Sequence, residues 1–113
     1  MREDGKIDYV EFPGGDLPAT KVFYAKAFGW RFTDYGPGYC AMEEGLDGGF
    51  NGDPADRTAK PLVILFARDL EAMEAKVKAA GGTITRPIFS FPGGRRFHFR
   101  DPSGNELGVF SEG

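Results

Sequence analysis

Seven side chains in this 113-residue sequence have the chemical types that bind or transform small organic molecules. They are two carboxylates, two tyrosines, two arginines and the only histidine. Carboxylates and imidazoles transfer protons, and arginines bind carboxylates or phosphates through two parallel hydrogen bonds. The candidate ligand-binding residues are Tyr9, Glu11, Tyr39, Arg96, His98, Arg100 and Glu106.

The alternation of side chains along strands predicts that these residues share one face of a sheet. If Val10 and Phe12 pack beneath a helix, then Ile7, Tyr9 and Glu11 lie on the opposite face and line a cleft.

The same argument applies to residues 95–100. If Phe97 and Phe99 pack in the core, then Arg96, His98 and Arg100 face the cleft. The alternative is that the two phenylalanines themselves line an aromatic pocket.

The last strand is predicted to bury Leu107 and Val109, so Glu106, Gly108 and Phe110 face the cleft. Tyr39 and Cys40 lie on opposite faces of another predicted strand, and the sequence leaves open which of the two faces the cleft.

Glu11 is the candidate general base, because it lies between two apolar residues. Arg96 and Arg100 would favour an anionic ligand. The competing interpretations are that the arginines protect an exposed strand edge, that His98 is a satisfied sheet histidine, and that Glu106 is a surface carboxylate.

Two segments have the pattern of helices. Asp16 is a plausible N-cap of a helix that Gly29 ends, and Asp69 is the corresponding N-cap of one that Gly81 and Gly82 end. A short apolar stretch precedes each helix, and three strand-like stretches follow it. An offset of 53 residues aligns the two halves, which suggests an internal duplication. We therefore predict a single domain over residues 1–113, with one module at about 6–52, a linker at about 53–60 and a second module at about 61–111.

Composition excludes several classes of function. The net charge is −3 and the pI is about 5.1, so no basic field favours nucleic acid. No stretch is apolar enough for a membrane span, and the one cysteine rules out an internal disulfide. We expect a cytoplasmic protein that binds neither nucleic acid nor membranes.

Four short motifs lie around the two predicted helices and before the last predicted strand. They are Phe23-Tyr24, Phe28-Gly29-Trp30, Asp69-Leu70 and Asp101-Pro102-Ser103-Gly104-Asn105. These motifs resemble those of the vicinal oxygen chelate superfamily, which includes glyoxalases, bleomycin-resistance proteins and extradiol dioxygenases. The resemblance covers roughly residues 6–111. It implies an α+β fold in which two βαβββ modules, with one helix each, form a curved mixed sheet around a cleft, and it implies a homodimer.

In metal-dependent members of that superfamily, the first and last strands of each module supply His, Glu or Gln ligands. The resemblance places these positions near Tyr9, near Phe50-Asn51, at Leu62 or Val63, and at Gly108. Most of these residues offer no metal donor. We therefore expect no metal at the usual positions, the alternative being Zn, Ni, Mn or Fe held by Glu11, His98 and Glu106.

The resulting functional prediction is a glyoxalase-like or bleomycin-resistance-like protein that binds a small organic, anionic molecule in its cleft. The alternative is a metal-dependent lyase or dioxygenase that uses Glu11, His98 and Glu106. A third possibility is an accessory protein, which would expose a large apolar patch to a partner chain.

Overall fold

The structure, a computed structural model, describes residues 2–113 and contains two helices and eight strands there. Strands pair in both parallel and antiparallel directions, and the fold class is α+β, as predicted. Neither helix in the described residues is long and apolar enough to cross a membrane. The elements in chain order are β1 (Ile7–Pro13), α1 (Leu17–Phe28), β2 (Thr33–Asp34), β3 (Tyr39–Glu44), β4 (Leu46–Asn51), β5 (Leu62–Phe66), α2 (Leu70–Ala79), β6 (Thr83–Phe91), β7 (Gly94–Arg100) and β8 (Glu106–Ser111).

The helix boundaries follow from capping chemistry. The Asp16 carboxylate accepts a hydrogen bond from the Ala19 amide at 3.0 Å, and Gly29 ends α1 in the left-handed conformation at φ 75°. Asp69 caps α2 in the same way through the Ala72 amide at 3.0 Å. Both predicted N-caps are confirmed.

The chain forms two compact units, which we describe separately. The first unit is Tyr9–Leu62, and the second is residues 2–8 together with Val63–Gly113.

The first unit has the strand order β2-β3-β4-β1. β1 runs parallel to β4, and the other pairs are antiparallel. One face of these strands forms a core with α1, in which the buried residues are Leu17, Cys40, Met42 and Phe50. Phe12, Tyr24, Trp30 and Phe32 pack against that core.

The second unit has the strand order β5-β8-β7-β6, with β5 parallel to β8. Its core lies on the face that packs against α2 and contains Ala67, Leu70, Phe97 and Val109 as buried residues. Phe99 packs against this core, so the prediction that residues 97 and 99 face the helix is confirmed.

One detail of the sequence prediction is wrong. Leu107 is half-buried rather than a core partner of the fully buried Val109, because it lies near the first residue of β8. In the first unit, only Gly45, at φ 94°, separates β3 from β4.

Helix α1 buries less of its apolar surface than its sequence suggests. Leu17 is its only buried residue, whereas Val22, Phe23 and Phe28 are 57–65% exposed. Tyr35 is 66% exposed as well. The apolar residues of α1 are too widely spread around the helix for one sheet face to cover them all.

Candidate functional site

In each unit, the sheet face that points away from the helix carries buried polar side chains. In the first unit these are Glu11 and Asn51, which are 5% and 6% exposed. In the second unit they are Arg96 and His98, which are 5% and 1% exposed. Buried polar groups in proteins are nearly always hydrogen-bonded, either within the protein or to a bound molecule. The two groups of buried polar residues are therefore the candidate sites.

The first cluster, which we call the Glu11 cluster, consists of Tyr9, Glu11, Tyr39 and Asn51. The Tyr39 hydroxyl donates to Glu11 Oε2 at 3.2 Å, and the Tyr9 and Tyr39 hydroxyl oxygens are 2.6 Å apart. Since the Tyr39 hydrogen points to the carboxylate, Tyr9 is the donor in the second bond. Asn51 Nδ2 lies 3.5 Å from Glu11 Oε1. The result is a directed chain of hydrogen bonds that ends on a buried carboxylate.

Burial and the neighbouring carboxylate determine the protonation of the two tyrosines. Burial is the largest cause of the raised pKa of Tyr39, and the charge of Glu11 is the next. Burial also raises the pKa of Tyr9, against a smaller opposing effect of its bond to Tyr39. Both phenols therefore stay neutral at physiological pH, so that Tyr39 donates to Glu11 and Tyr9 donates to Tyr39.

Gly49 lies on β4 directly opposite Glu11 on β1. A Cβ atom at Gly49 would lie 2.5 Å from both the Tyr9 and the Tyr39 hydroxyl oxygens. The two hydroxyl groups occupy the space that any larger residue at this position would need.

We expect Gly49→Ala to force the two tyrosines apart and to lower the free energy of unfolding by about 1–3 kcal/mol through overpacking. Urea unfolding monitored by circular dichroism measures this effect. Gly15→Ala is the matched control, because a Cβ there meets nothing within 4 Å, and its effect should stay within about 0.5 kcal/mol. Equal stability of the two variants would contradict this description of the cluster.

The second cluster, which we call the His98 cluster, consists of Arg86, Phe89, Arg96, His98 and Glu106. His98 Nδ1 lies 3.3 Å from Glu106 Oε2, which also accepts the Thr85 hydroxyl at 2.9 Å. The Phe89 ring packs edge-on against the imidazole, with ring centroids 5.8 Å apart.

The two arginines of this cluster pack on aromatic rings. The Arg86 guanidinium lies 3.6 Å from the centre of the Phe89 ring, and that of Arg96 lies 5.3 Å from Phe89 and 5.2 Å from Phe91. Burial is the largest cause of the lowered pKa of His98, and the positive charges of Arg96 and Arg86 lower it further against Glu106. The imidazole is therefore neutral at physiological pH.

The remaining predicted site residues differ in burial. Arg100 and Glu106, a pair in the ladder between β7 and β8, are exposed, although Glu106 still reaches His98. Cys40 is buried in the first core, which places Tyr39 on the opposite face and settles the question that the sequence left open. Burial also raises the pKa of the Cys40 thiol, which disfavours the reactive thiolate.

Sequence reasoning missed part of each cluster. Asn51, noted only as a weak donor, bonds Asp56 at 2.9 Å and accepts the Asp53 amide at 3.0 Å. Arg57 donates to the Gly14 carbonyl, so the segment after β4 is tied to the first unit. The Asp and Arg residues of that polar segment were a signal for such bonds, whereas Phe89 had no distinguishing signal among eleven phenylalanines.

With this geometry described, comparison with known proteins identifies the family. Residues 6–109 match the Glyoxalase/Bleomycin resistance protein/Dioxygenase superfamily, and the chain belongs to it. No curated protein matches the sequence.

Solved structures share the fold at low sequence identity. A Legionella pneumophila protein described as an NAD-dependent benzaldehyde dehydrogenase has a TM-score of 0.76 at 14% identity, covering 91% of this chain and 96% of that one. The Mn(II)-bound glyoxalase from Novosphingobium aromaticivorans has a TM-score of 0.67 at 23% identity, covering 99% and 40%. Methylmalonyl-CoA epimerase from Mycobacterium tuberculosis has a TM-score of 0.66 at 13% identity, covering 96% and 88%.

The residues at the metal positions implied by the resemblance do not fit a divalent metal. The Tyr9 hydroxyl is bonded to Tyr39, Leu62 is a fully buried apolar residue, and Gly108 has no side chain. The amide of Asn51 bonds Asp56 and accepts the Asp53 amide. In residues 2–113 no three His, Cys, Asp or Glu side chains are grouped so that they could hold a metal ion.

Proposed function

We propose that this protein binds a small organic anion on the His98 cluster. The observation that carries this proposal is the burial of Arg96 and His98, a cation and a neutral imidazole, on a sheet face that carries aromatic rings instead of a helix. Small-molecule sites combine apolar and aromatic walls with a few polar groups in this way.

Electrostatics supports an anionic ligand. The charges of Arg86 and Arg96 both lower the pKa of His98, so they create a positive potential at the imidazole. A positive potential attracts an anion through space, whatever other bonds the two guanidinium groups make. Only Glu106, which is half exposed, opposes it.

The rings around the cluster support an apolar or aromatic ligand body. Phe89 and Phe91 flank Arg96, and Phe91 packs edge-on against Phe110 at a centroid distance of 6.4 Å. Aromatic carboxylates such as benzoate combine a flat apolar body with one negative charge, and they are suitable first probes.

We expect Arg96→Gln to weaken benzoate binding about tenfold, because a charged hydrogen-bonding group contributes roughly that factor. Isothermal calorimetry or NMR titration measures the dissociation constant. Arg95→Gln is the matched control, since the neighbouring Arg95 pairs with Glu71 of α2 on the other face. Equal loss in both variants, or no benzoate binding by the wild-type protein, would contradict the proposal.

The Glu11 cluster favours a second candidate function, proton abstraction. Glu11 is a buried carboxylate oriented by Tyr39 and Asn51, which suits a general base. In this reaction Glu11 would take a proton from a carbon next to a carbonyl group, while the C–H electron pair moves to the carbonyl oxygen as an enolate.

Phenylpyruvate in D₂O tests this candidate, because its acidic C–H exchanges with solvent deuterium through an enolate. We expect the wild-type protein to accelerate exchange and Glu11→Gln to lose about 10²-fold of that acceleration with an unchanged unfolding curve. Glu43→Gln, an exposed carboxylate on β3, is the control and should exchange at the wild-type rate. Full exchange activity in Glu11→Gln would remove Glu11 from the role of base.

We propose that neither function uses a metal at the positions that the family's metal-dependent members use. Protein purified without chelators should then contain far less than one equivalent of Zn, Ni, Mn or Fe by plasma mass spectrometry. It should also show no thermal shift with these ions. One metal per chain, lost in His98→Ala, would instead support the lyase or dioxygenase alternative with Glu11, His98 and Glu106.

The family resemblance and the composition also support a cytoplasmic homodimer. Size-exclusion chromatography with light scattering measures the oligomeric state directly.

A further inference from the structure

The imidazole of His98 has one nitrogen that is hydrogen-bonded and one that is not. Nδ1 faces Glu106 Oε2 at 3.3 Å. Nε2 is buried and has no hydrogen-bond partner within residues 2–113. Nε2 is therefore a buried ring nitrogen that a ligand could reach with a hydrogen bond.

Glu106 determines which nitrogen carries the hydrogen. Its Oε2 already accepts the Thr85 hydroxyl at 2.9 Å, so it acts as an acceptor toward His98 as well. The hydrogen of the neutral imidazole therefore lies on Nδ1, and Nε2 presents a lone pair. Nε2 can accept a hydrogen bond but cannot donate one.

The surroundings of Nε2 do not supply a donor. His98 pairs across the sheet with Gly108 on one side, which has no side chain, and with Arg86 on the other, whose guanidinium lies over the Phe89 ring. The Phe89 ring and the imidazole lie at 70° to each other, and no donor in residues 2–113 bonds Nε2. A buried acceptor without a partner costs free energy, and each such atom in a native protein calls for a specific explanation.

The strand next to His98 is irregular. The ladder between β6 and β7 shifts register on both sides of Arg86, between Ile84 and Arg86 and again between Arg86 and Phe89. Bulges of this kind are common beside functional sites, where they redirect side chains. Here they lie beside the imidazole and the ring that covers it.

We propose that His98 Nε2 accepts a hydrogen bond from an O–H or N–H group of the bound ligand. The ligand class is then a small organic anion that also carries a donor, such as a hydroxycarboxylate. This inference rests on the proposed anion-binding function, and it adds the group that distinguishes one anion from another.

The first experiment determines the tautomer without any ligand. Because His98 is the only histidine, two-bond ¹H–¹⁵N spectra of the imidazole need no assignment. We expect hydrogen on Nδ1 near neutral pH in the wild-type protein and in the control Glu112→Gln, an exposed carboxylate. Glu106→Gln should give a mixture of tautomers, because an amide both donates and accepts. Hydrogen on Nε2 in the wild-type protein would overturn the inference.

The second experiment compares carboxylates of matched shape, with and without a hydroxyl group. The probes are benzoate against 2-, 3- and 4-hydroxybenzoate, and propionate against lactate. We expect at least one hydroxylated probe to bind about fivefold more tightly than its parent, with a change in the Nε2 resonance that the parent does not cause. The readout is the ratio of the affinities for the hydroxylated and the parent probe, and His98→Phe, which keeps a flat ring, should bring that ratio to about one. Glu106→Gln, which keeps the imidazole, should reduce it.

The outcomes separate this inference from the proposed function. Equal binding of parent and hydroxylated probes would overturn the role of Nε2 and leave anion binding intact. No binding of any probe at millimolar concentration would overturn the proposed function, and the inference with it. If a folded His98→Phe variant still prefers hydroxylated probes, the hydroxyl group of the probe bonds another residue, and the role of Nε2 is overturned.

Discussion

The two-sidedness of the strands is the constraint on which the rest of this protein depends. Each strand places alternate side chains on opposite faces, so a residue buried against a helix requires its neighbours to face the other way. In β7, Phe97 packs beneath α2, and Arg96 and His98 are therefore held on the opposite face. The packing of the apolar core therefore also fixes the orientation of the polar side chains on the opposite face.

The buried polar groups of the two units differ in how fully they are hydrogen-bonded. In the first unit, Glu11 receives bonds from Tyr39 and Asn51, and Tyr9 extends the chain. In the second unit, Glu106 holds one side of the His98 ring and the other side has no partner in the described residues. A satisfied network rigidifies the face that carries it, whereas a buried acceptor without a partner costs free energy.

Membership of the superfamily establishes the fold of this chain and leaves its chemistry to be decided by particular residues. The same fold carries many reactions, so function must be argued from the side chains present. Here the metal positions that the resemblance implies hold a bonded tyrosine, a bonded asparagine, an apolar residue and a glycine. The ionisable residues instead lie one pleat away, at Glu11 and Glu106, and at His98 on a neighbouring strand.

Local patterns in the sequence were sufficient to predict the caps at Asp16 and Asp69 and the face on which Phe12, Phe97 and Val109 lie. Capping and strand alternation depend only on residues close together in the chain, which is why these predictions were correct. The same local patterns did not predict that Leu107 is only half-buried or that Phe28 is exposed, because burial depends on which element covers a residue.

Tertiary structure alone decided the hydrogen-bond partners. Tyr9 and Tyr39 are separated by 30 residues, and they meet only because β1 and β3 flank Gly49 on β4, where no side chain intervenes. The unmet acceptor on His98 is likewise a property of strand register and of the bulges in β6. The sequence by itself determined which side chains share a strand face, and the pairing of distant strands determined which of them form hydrogen bonds with one another.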